Sequence, residues 1–534
     1  VVRNGNNINI TANVTIEGEL ADEEIGDTGK KYSEVAISGI NEAWSGKMGN
    51  LSIYTKVVVA DNSIYKTIKI TITESIQTSV TDVNTGDITL NCTKPTRIVD
   101  NDFTEEEIAA CVDQAYNKTK FETDSIAPLY ELYDTAYILE LWHGPTCAFK
   151  DMALQILPHL MTVSMKKTGI DKQVAILVAT SGDTGKAALE GFKDVQGTKI
   201  QVFFPTGGVS KIQRKQMVTQ EGCNVAVTSV KGNFDDAQSG VKQIFRDTEF
   251  NKQLEERGYL LSSANSINWG RLVPQIIYYV SAYCDLVKAD KIKAGDAVNV
   301  CVPTGNFGNI LAAWYAKEMG IPIAKLICAS NENNVLTDFI HTGVYDKNRE
   351  FKATISPSMD ILISSNLERL LFDITGRDED RVREWMEELQ KTGRYEVPQV
   401  TKDKLKEYFF GGFCDDTSTK QTIAEVWKEY GYLMDTHTAV GYRVYRQYVE
   451  ETGDTTKTII ASTANPFKFC SSVLEAVQGK LADDMDEFEV GNVLSNITGQ
   501  KIPASLAQLK EKPERFEEVC DKAEMKQAVD SFLA

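Results

Sequence analysis

Val174-Ala175-Ile176-Leu177-Val178-Ala179-Thr180-Ser181-Gly182-Asp183-Thr184-Gly185-Lys186 is a short apolar run that passes through a turn of small polar residues into a helical pattern. Residues 200–204, 298–302 and 324–329 are further apolar runs of strand length, most of them followed by a turn and a helix. Repeated strand-turn-helix units predict an α/β protein with mainly parallel sheets, each covered by helices on both faces. In such folds ligands bind beyond the carboxyl ends of the strands, so the turns hold the candidate site residues.

The first of these turns, 180–186, offers free backbone amides at a helix N-terminus, where the helix dipole also favours negative charge. It fails as a nucleotide P-loop. Thr180 stands where that motif needs glycine, and Ala187 stands where it needs a magnesium-binding hydroxyl. A carboxylate-binding turn using Ser181 and Thr184 is one reading; a well-capped helix is the other.

Pro303-Thr304-Gly305-Asn306-Phe307-Gly308-Asn309 follows the strand at 298–302 and precedes a helix predicted over 310–319. Two glycines three apart let successive N–H groups converge on a monophosphate, although any strand-to-helix turn can hold Gly and Asn for geometry alone. Ser262-Ser263-Ala264-Asn265-Ser266-Ile267-Asn268-Trp269-Gly270-Arg271 combines hydroxyls, amides and one fixed positive charge. Arg271, with Ser266 and Asn268, suits a bidentate grip on an anion; the alternative is an arginine paired with a local carboxylate.

Leu141-Trp142-His143-Gly144-Pro145-Thr146-Cys147-Ala148-Phe149-Lys150-Asp151 places a lysine beside small and aromatic residues at a helix start. Lost hydration disfavours an ammonium and leaves an amine nucleophilic enough for a Schiff base with a carbonyl cofactor. Taken alone, Lys150 reads more readily as a solvated helix-start lysine. Residues 435–439 and 461–466 are two more polar turns, too short to interpret singly, and His437 reads as a hydrogen-bonded structural residue. A reactive lysine, a monophosphate cradle, a carboxylate turn and a second anion grip together match pyridoxal 5'-phosphate acting on an amino acid that carries another anionic group.

Composition narrows the classes. The 534 residues carry 57 Lys+Arg against 76 Asp+Glu, a net charge of -19, which argues against nucleic acid and anionic membrane surfaces as partners. The 10 cysteines are scattered without the two-residue gap of zinc or dithiol sites, and the 4 histidines lack His-Glu-x-x-His spacing, so no metal site is expected. Scattered thiols and the absence of a long apolar run lead us to expect a cytoplasmic protein.

The texture before residue 97 differs. Ile8, Ile10, Ala12, Val14 and Ile16 alternate with polar residues, and 51–59 and 64–72 nearly repeat the pattern. Period-two alternation predicts strands; one helical face is expected at 32–44. Residues 1–96 are read as a β-rich module of unknown function. Residues 97–534 form the catalytic region, with a smaller α/β subdomain at approximately 165–275 inserted in a larger one. The second region opens with Thr104 and Glu107 spaced as a capping box.

The motifs at 143–151, 179–185, 265–271, 305–309 and 435–439 resemble, in order, those of threonine synthase in its longer bacterial and fungal branch; the likeness runs from about residue 102 to 534. The resemblance implies a fold-type-II pyridoxal phosphate lyase with two three-layer α/β/α domains, converting O-phospho-L-homoserine and water to L-threonine and phosphate. It implies Lys150 as the Schiff-base lysine and later proton carrier. Gly305, Asn306, Phe307, Gly308 and Asn309 would hold the cofactor phosphate, Thr463 would face the pyridine nitrogen, and Asp183 would lie near the 3'-oxygen. Ser181 and Thr184 would take the substrate carboxylate; Ser266, Asn268 and Arg271 its phosphate. Residues 1 to about 98 do not resemble the family's usual N-terminal segment. Two other readings stay open on the loops: a threonine or serine dehydratase, which needs no grip for a substrate phosphate, and an inactive pyridoxal-binding chain with an N-terminal interaction module.

Overall fold

The computed structural model describes residues 103–180, 182–207, 209–479 and 485–534, together with the backbone of seven strands before residue 92. The chain divides into two compact units, Val1–Ile108 and Ala109–Ala534.

In the first unit the strand Asn7–Glu17 pairs in parallel with Leu51–Val59 and with Ile68–Thr73, and Ile68–Thr73 pairs in parallel with Ile88–Asn91. The short strands Val2–Asn4, Gly46–Met48 and Val80–Thr81 add antiparallel pairs. Period-two alternation thus marks strands here. The helical face expected at 32–44 lies outside the described residues.

The described residues of the second unit form two large sheets and a two-stranded antiparallel one, Val344–Asp346 with Arg394–Glu396. A six-stranded sheet runs in the order Phe409–Phe413, Ile323–Ser330, Val298–Pro303, Thr458–Ser462, Ala136–Glu140, Leu129–Tyr133. All neighbours are parallel except the last pair. A five-stranded, wholly parallel sheet runs Tyr259–Ser262, Gln173–Ala179, Thr198–Pro205, Val225–Val230, Val519–Cys520. Its last strand comes from the C-terminal part of the chain, beyond 165–275.

Alternate residues of each strand point to opposite faces, and in both sheets both faces are buried. Ile176, Val178, Ile200 and Val202 join one core of the smaller sheet, while Ala175, Leu177, Ala179 and Phe203 join the other. In the larger sheet Val300, Val302, Leu326 and Cys328 face one core and Cys301, Ile327 and Ala329 face the opposite one. Such two-sided burial is why these strands read as continuous apolar runs.

The capping box forms as spaced: Thr104 N donates to Glu107 at 2.9 Å and Glu107 N to Thr104 Oγ1 at 3.2 Å, opening the helix Glu105–Ala115. Among the described residues no helix is long and apolar enough to cross a membrane.

Candidate active site

The loops at 141–151, 180–186, 262–271, 305–309 and 461–466 leave carboxyl ends of strands. The segment carrying Lys150 follows Ala136–Glu140 and is stitched to the turn after Thr458–Ser462. Phe149 N donates to Thr463 O at 2.8 Å, Asn465 N donates to Cys147 O at 3.1 Å, and Ala148 bridges Ala464. Backbone pairing therefore seats Lys150 beside Thr463, which is itself buried. Asp151 closes the loop from below by accepting from Thr146 N and Thr146 Oγ1, each at 2.8 Å. The short helix Asp151–Leu154 then lies against Asp183–Phe192, so closely that a Cβ on Gly191 would stand 1.9 Å from Leu154 O.

That approach brings Lys150 to Asp183. Lys150 is 8% exposed, and its Nζ lies 3.4 Å from Asp183 Oδ2. Burial lowers the Lys150 pKa; the attraction of Asp183 opposes this, while Lys468 and Arg271 reinforce it. For Asp183 burial acts upward, but the charges of Lys468 and Lys150 prevail and hold its carboxyl well below the usual carboxylate range. Lys468 was not singled out in the sequence. It follows the 461–466 turn by two residues and is wholly buried.

The loop at 305–309 curls, but the residue with positive φ is Phe307, at 55°, rather than either glycine. Phe307 is buried in the larger sheet's core, and this packing holds its left-handed conformation. Gly305 serves close approach instead: a Cβ there would lie 2.6 Å from the carbonyl oxygen of Ser358. Around the loop runs a polar segment, 354–366, which the sequence reading passed over. Ser364 Oγ donates to Gly305 O at 2.6 Å and Asn366 Nδ2 to Asn306 O at 2.9 Å. Asn309 opens the helix Gly308–Glu318; its Oδ1 accepts from Tyr278 at 2.6 Å and Tyr279 at 2.5 Å. Its Nδ2 is buried without a partner. A buried amide donor left open beside a turn that tolerates no Cβ fits an anionic ligand such as a monophosphate.

At the smaller sheet, Thr180 Oγ1 accepts from Gly182 N at 3.0 Å and Gly185 N at 2.9 Å, shaping the turn that presents Thr184. Ser181 lies outside the described residues. Arg271, 5% exposed, donates to Ala264 O at 3.0 Å and to Thr184 Oγ1 at 3.5 Å. Both partners are neutral; the sequence alternative of a local carboxylate partner is not what Arg271 shows among the described residues. Asn268 donates to Ser263 O at 2.7 Å and accepts from Gly270 N at 2.9 Å, capping the helix Trp269–Lys288; Ser266 Oγ lies 3.1 Å from Ser365 Oγ. Thr184 and Arg271 therefore converge directly, whereas Asn268 shapes its own loop. His437 is held on both nitrogens, Nδ1 3.0 Å from Asp435 Oδ1 and Nε2 accepting from Ser358 N at 3.1 Å.

The chain matches the family model "Pyridoxal-phosphate dependent enzyme" over residues 122–398 and "Threonine synthase, C-terminal" over 438–529. It is 42% identical over 386 residues to "Threonine synthase-like 1" of Macaca fascicularis, covering 71% of this chain and 51% of that protein. The chain thus spans about half the length of the curated relatives of that name that it matches. To a Pseudomonas aeruginosa threonine synthase it is 40% identical over 383 residues, 70% of this chain and 78% of the relative. A crystal structure of PLP-bound threonine synthase from Brucella melitensis superimposes with a TM-score of 0.71 at 36% identity, covering 82% of this chain and 86% of that one. The fold is accordingly that of fold-type-II enzymes. With two parallel sheets, ligand loops at their carboxyl ends and these matches, the chain belongs to the threonine synthase family of pyridoxal-phosphate dependent enzymes.

Proposed function

We propose that the chain is a lyase that converts O-phospho-L-homoserine and water to L-threonine and phosphate, using pyridoxal 5'-phosphate. The observation that carries this reading is the buried Lys150 with Asp183 at 3.4 Å, together with an open amide donor at Asn309 and a buried cation at Arg271. The cofactor, when bound, supplies an electron sink for carbanion chemistry at the substrate's α- and β-carbons. Lys150 would hold it, and its amine, when free, would take and return protons at those carbons.

Gly305, Asn306, Phe307, Gly308 and Asn309 would receive the cofactor phosphate, Asn309 through its unpartnered Nδ2. Thr463 would offer the ring nitrogen a neutral hydroxyl, and Asp183 would lie toward the 3'-oxygen. Ser181 and Thr184 take the substrate carboxylate. Arg271, with Ser266 and Asn268, takes the substrate phosphate, and its burial makes the charge effective in a site from which water is excluded. The substrate is a small molecule; the chain acts in the cytoplasm, an assignment supported by its scattered cysteines. In domain terms, residues 1–96 form a module apart from the catalytic region 97–534, whose smaller subdomain is inserted at approximately 165–275.

The test is an assay of the full chain with O-phospho-L-homoserine, following phosphate and threonine together. Equal release of the two supports the reading. Bound cofactor with neither product overturns it, and ammonia release from threonine or serine instead points to a dehydratase.

A further inference from the structure

Asp183 stands between two lysines, and the contacts are unequal. Lys468 Nζ lies 2.6 Å from Oδ1, whereas Lys150 Nζ lies 3.4 Å from Oδ2. Gln213 Nε2 also donates to Oδ1, at 3.0 Å. Lys468 is wholly buried and spends a further hydrogen on Thr146 O at 3.0 Å. A carboxylate oxygen and a carbonyl oxygen are the surroundings an ammonium requires in the interior.

We propose that Lys468 is a positioning residue: it supplies the counter-charge of Asp183 so that Lys150 gives up its proton and becomes the free amine. The inference rests on the reading of Lys150 as the amine that holds the cofactor. A buried carboxylate with one buried lysine forms an ion pair, and the pair keeps its proton on the nitrogen, where it blocks nucleophilic attack. With Lys468 present, Asp183 is already paired, and loss of the Lys150 proton leaves no solitary buried anion. Lys468 also repels the ammonium form of Lys150 directly.

The charged groups facing Lys150 are Asp183, Lys468 and Arg271; burial, Lys468 and Arg271 favour its neutral form and Asp183 alone opposes. Asp183 is faced by Lys468, Lys150 and the Gln213 amide. Asp151, behind Lys468, is occupied by both donors of Thr146. Lys468 reaches this place because the turn at 461–466 is fastened to the Lys150 segment by the Phe149, Cys147 and Ala148 backbone pairs.

The test uses the full chain freed of bound carbonyl compound with hydroxylamine. Trace acetylation of Lys150 by acetic anhydride is followed against pH by peptide mass spectrometry. Replacing the charge, Lys468→Met, is expected to raise the pH of half-maximal labelling by at least about one unit, hence about tenfold less labelling below both midpoints. Asp183→Asn is expected to lower it, and Lys468→Arg to leave it within a few tenths. Should Lys468→Met not fold, Lys468→Gln takes its place, a neutral amide that still donates to Asp183 Oδ1 and Thr146 O. Its midpoint should likewise lie at least about one unit above wild type. A wild-type midpoint in whichever neutral variant is measured overturns the proposal. A parallel arm adds pyridoxal 5'-phosphate and borohydride. If wild-type Lys150 is left unmodified there, the cofactor reading fails, while the acetylation profiles still decide the role of Lys468.

Discussion

The hydroxyl of Tyr278 donates to Oδ1 of Asn309 at 2.6 Å, and the neighbouring Tyr279 donates to the same oxygen at 2.5 Å. Burial raises both phenol pKa values well above their ordinary range, so both stay protonated. Tyr278 also lies 3.2 Å from Gln275 Oε1, but Asn309 Oδ1 is its nearer acceptor. With Tyr279 on the same oxygen, the amide oxygen faces the helix Trp269–Lys288 and its NH2 is turned away, buried and unpartnered. An unpaired buried donor costs about 1–3 kcal/mol, and an anionic ligand accepting from it recovers that cost.

Removing both hydroxyls, Tyr278→Phe/Tyr279→Phe, leaves the amide free to rotate. Pyridoxal 5'-phosphate is expected to bind about tenfold more weakly, about 1.4 kcal/mol, with each single variant losing less because the other tyrosine still orients the amide. Spectrophotometric titration of the freed enzyme reads this. Unchanged affinity in the double variant removes Asn309 Nδ2 from the phosphate site.

Asp151, next to Lys150, gives a pH-dependent stability with a definite sign. Burial raises its carboxyl to about 6, against the hydrogen bonds from Thr146. The folded state therefore holds this proton to higher pH than the unfolded state, whose carboxyl titrates near ~3.9. The stabilisation is complete below ~3.9 and is lost as pH rises through about 6, a change on the order of 3 kcal/mol. Asparagine preserves the geometry, its oxygen accepting from Thr146 N and its NH2 donating to a turned Thr146 hydroxyl. In thermal melts from pH 4.5 to 7, Asp151→Asn should gain on wild type as pH rises. A constant difference across that range would falsify the assignment.

His437 acts on the 305–309 loop at second hand. Its Nε2 accepts from Ser358 N, and Ser358 O is the atom that a Cβ on Gly305 would strike. With Nε2 as acceptor, Nδ1 carries the hydrogen and donates to Asp435 Oδ1 at 3.0 Å. His437→Leu leaves the Ser358 N–H without its acceptor, at about 1–3 kcal/mol of stability, and frees the segment that shapes the loop. Both the melting temperature and cofactor affinity should fall, while Gly305→Ala should lose affinity by direct displacement of Ser358. Wild-type cofactor affinity in a destabilised His437→Leu would confine the histidine to a structural role.

Much of the site is readable from the chain because strand-end turns are local. The 180–186 and 305–309 turns declare themselves by small residues after an apolar run, and the parallel sheets follow from those runs. What escapes is whatever acts through distant packing. Lys468 is two residues past a turn too short to interpret singly, and only backbone pairing between 147–149 and 463–465 reveals where its ammonium goes. Tyr278 and Tyr279 belong to no motif, and only the structure brings both hydroxyls to Asn309. The segment 354–366 has no strand or motif to announce it, although its Asn366 adopts φ 74°, a conformation this residue type tolerates better than most. At Phe307 the local rule misleads: side-chain burial, not glycine, holds the left-handed turn.

Arg271 separates the substrate classes. Its guanidinium is buried and donates to two neutral oxygens, Ala264 O and Thr184 Oγ1, and burial lowers its pKa to about 10, still charged at neutral pH. A buried cation without a carboxylate is costly to keep unless an anion arrives to pair with it. Arg271→Met should therefore reduce kcat/KM for O-phospho-L-homoserine by about 100-fold or more, the loss expected for a charge-assisted bidentate contact, and Arg271→Lys by about tenfold, since a point charge replaces the fork. The contrast with an unphosphorylated amino acid is decisive. A grip on substrate phosphate predicts that any slow α-proton exchange with L-threonine in deuterated water survives in Arg271→Met, because that molecule offers nothing for the guanidinium to hold. Equal loss for both molecules would assign Arg271 to the framework of the 180–186 turn, through its contact with Thr184.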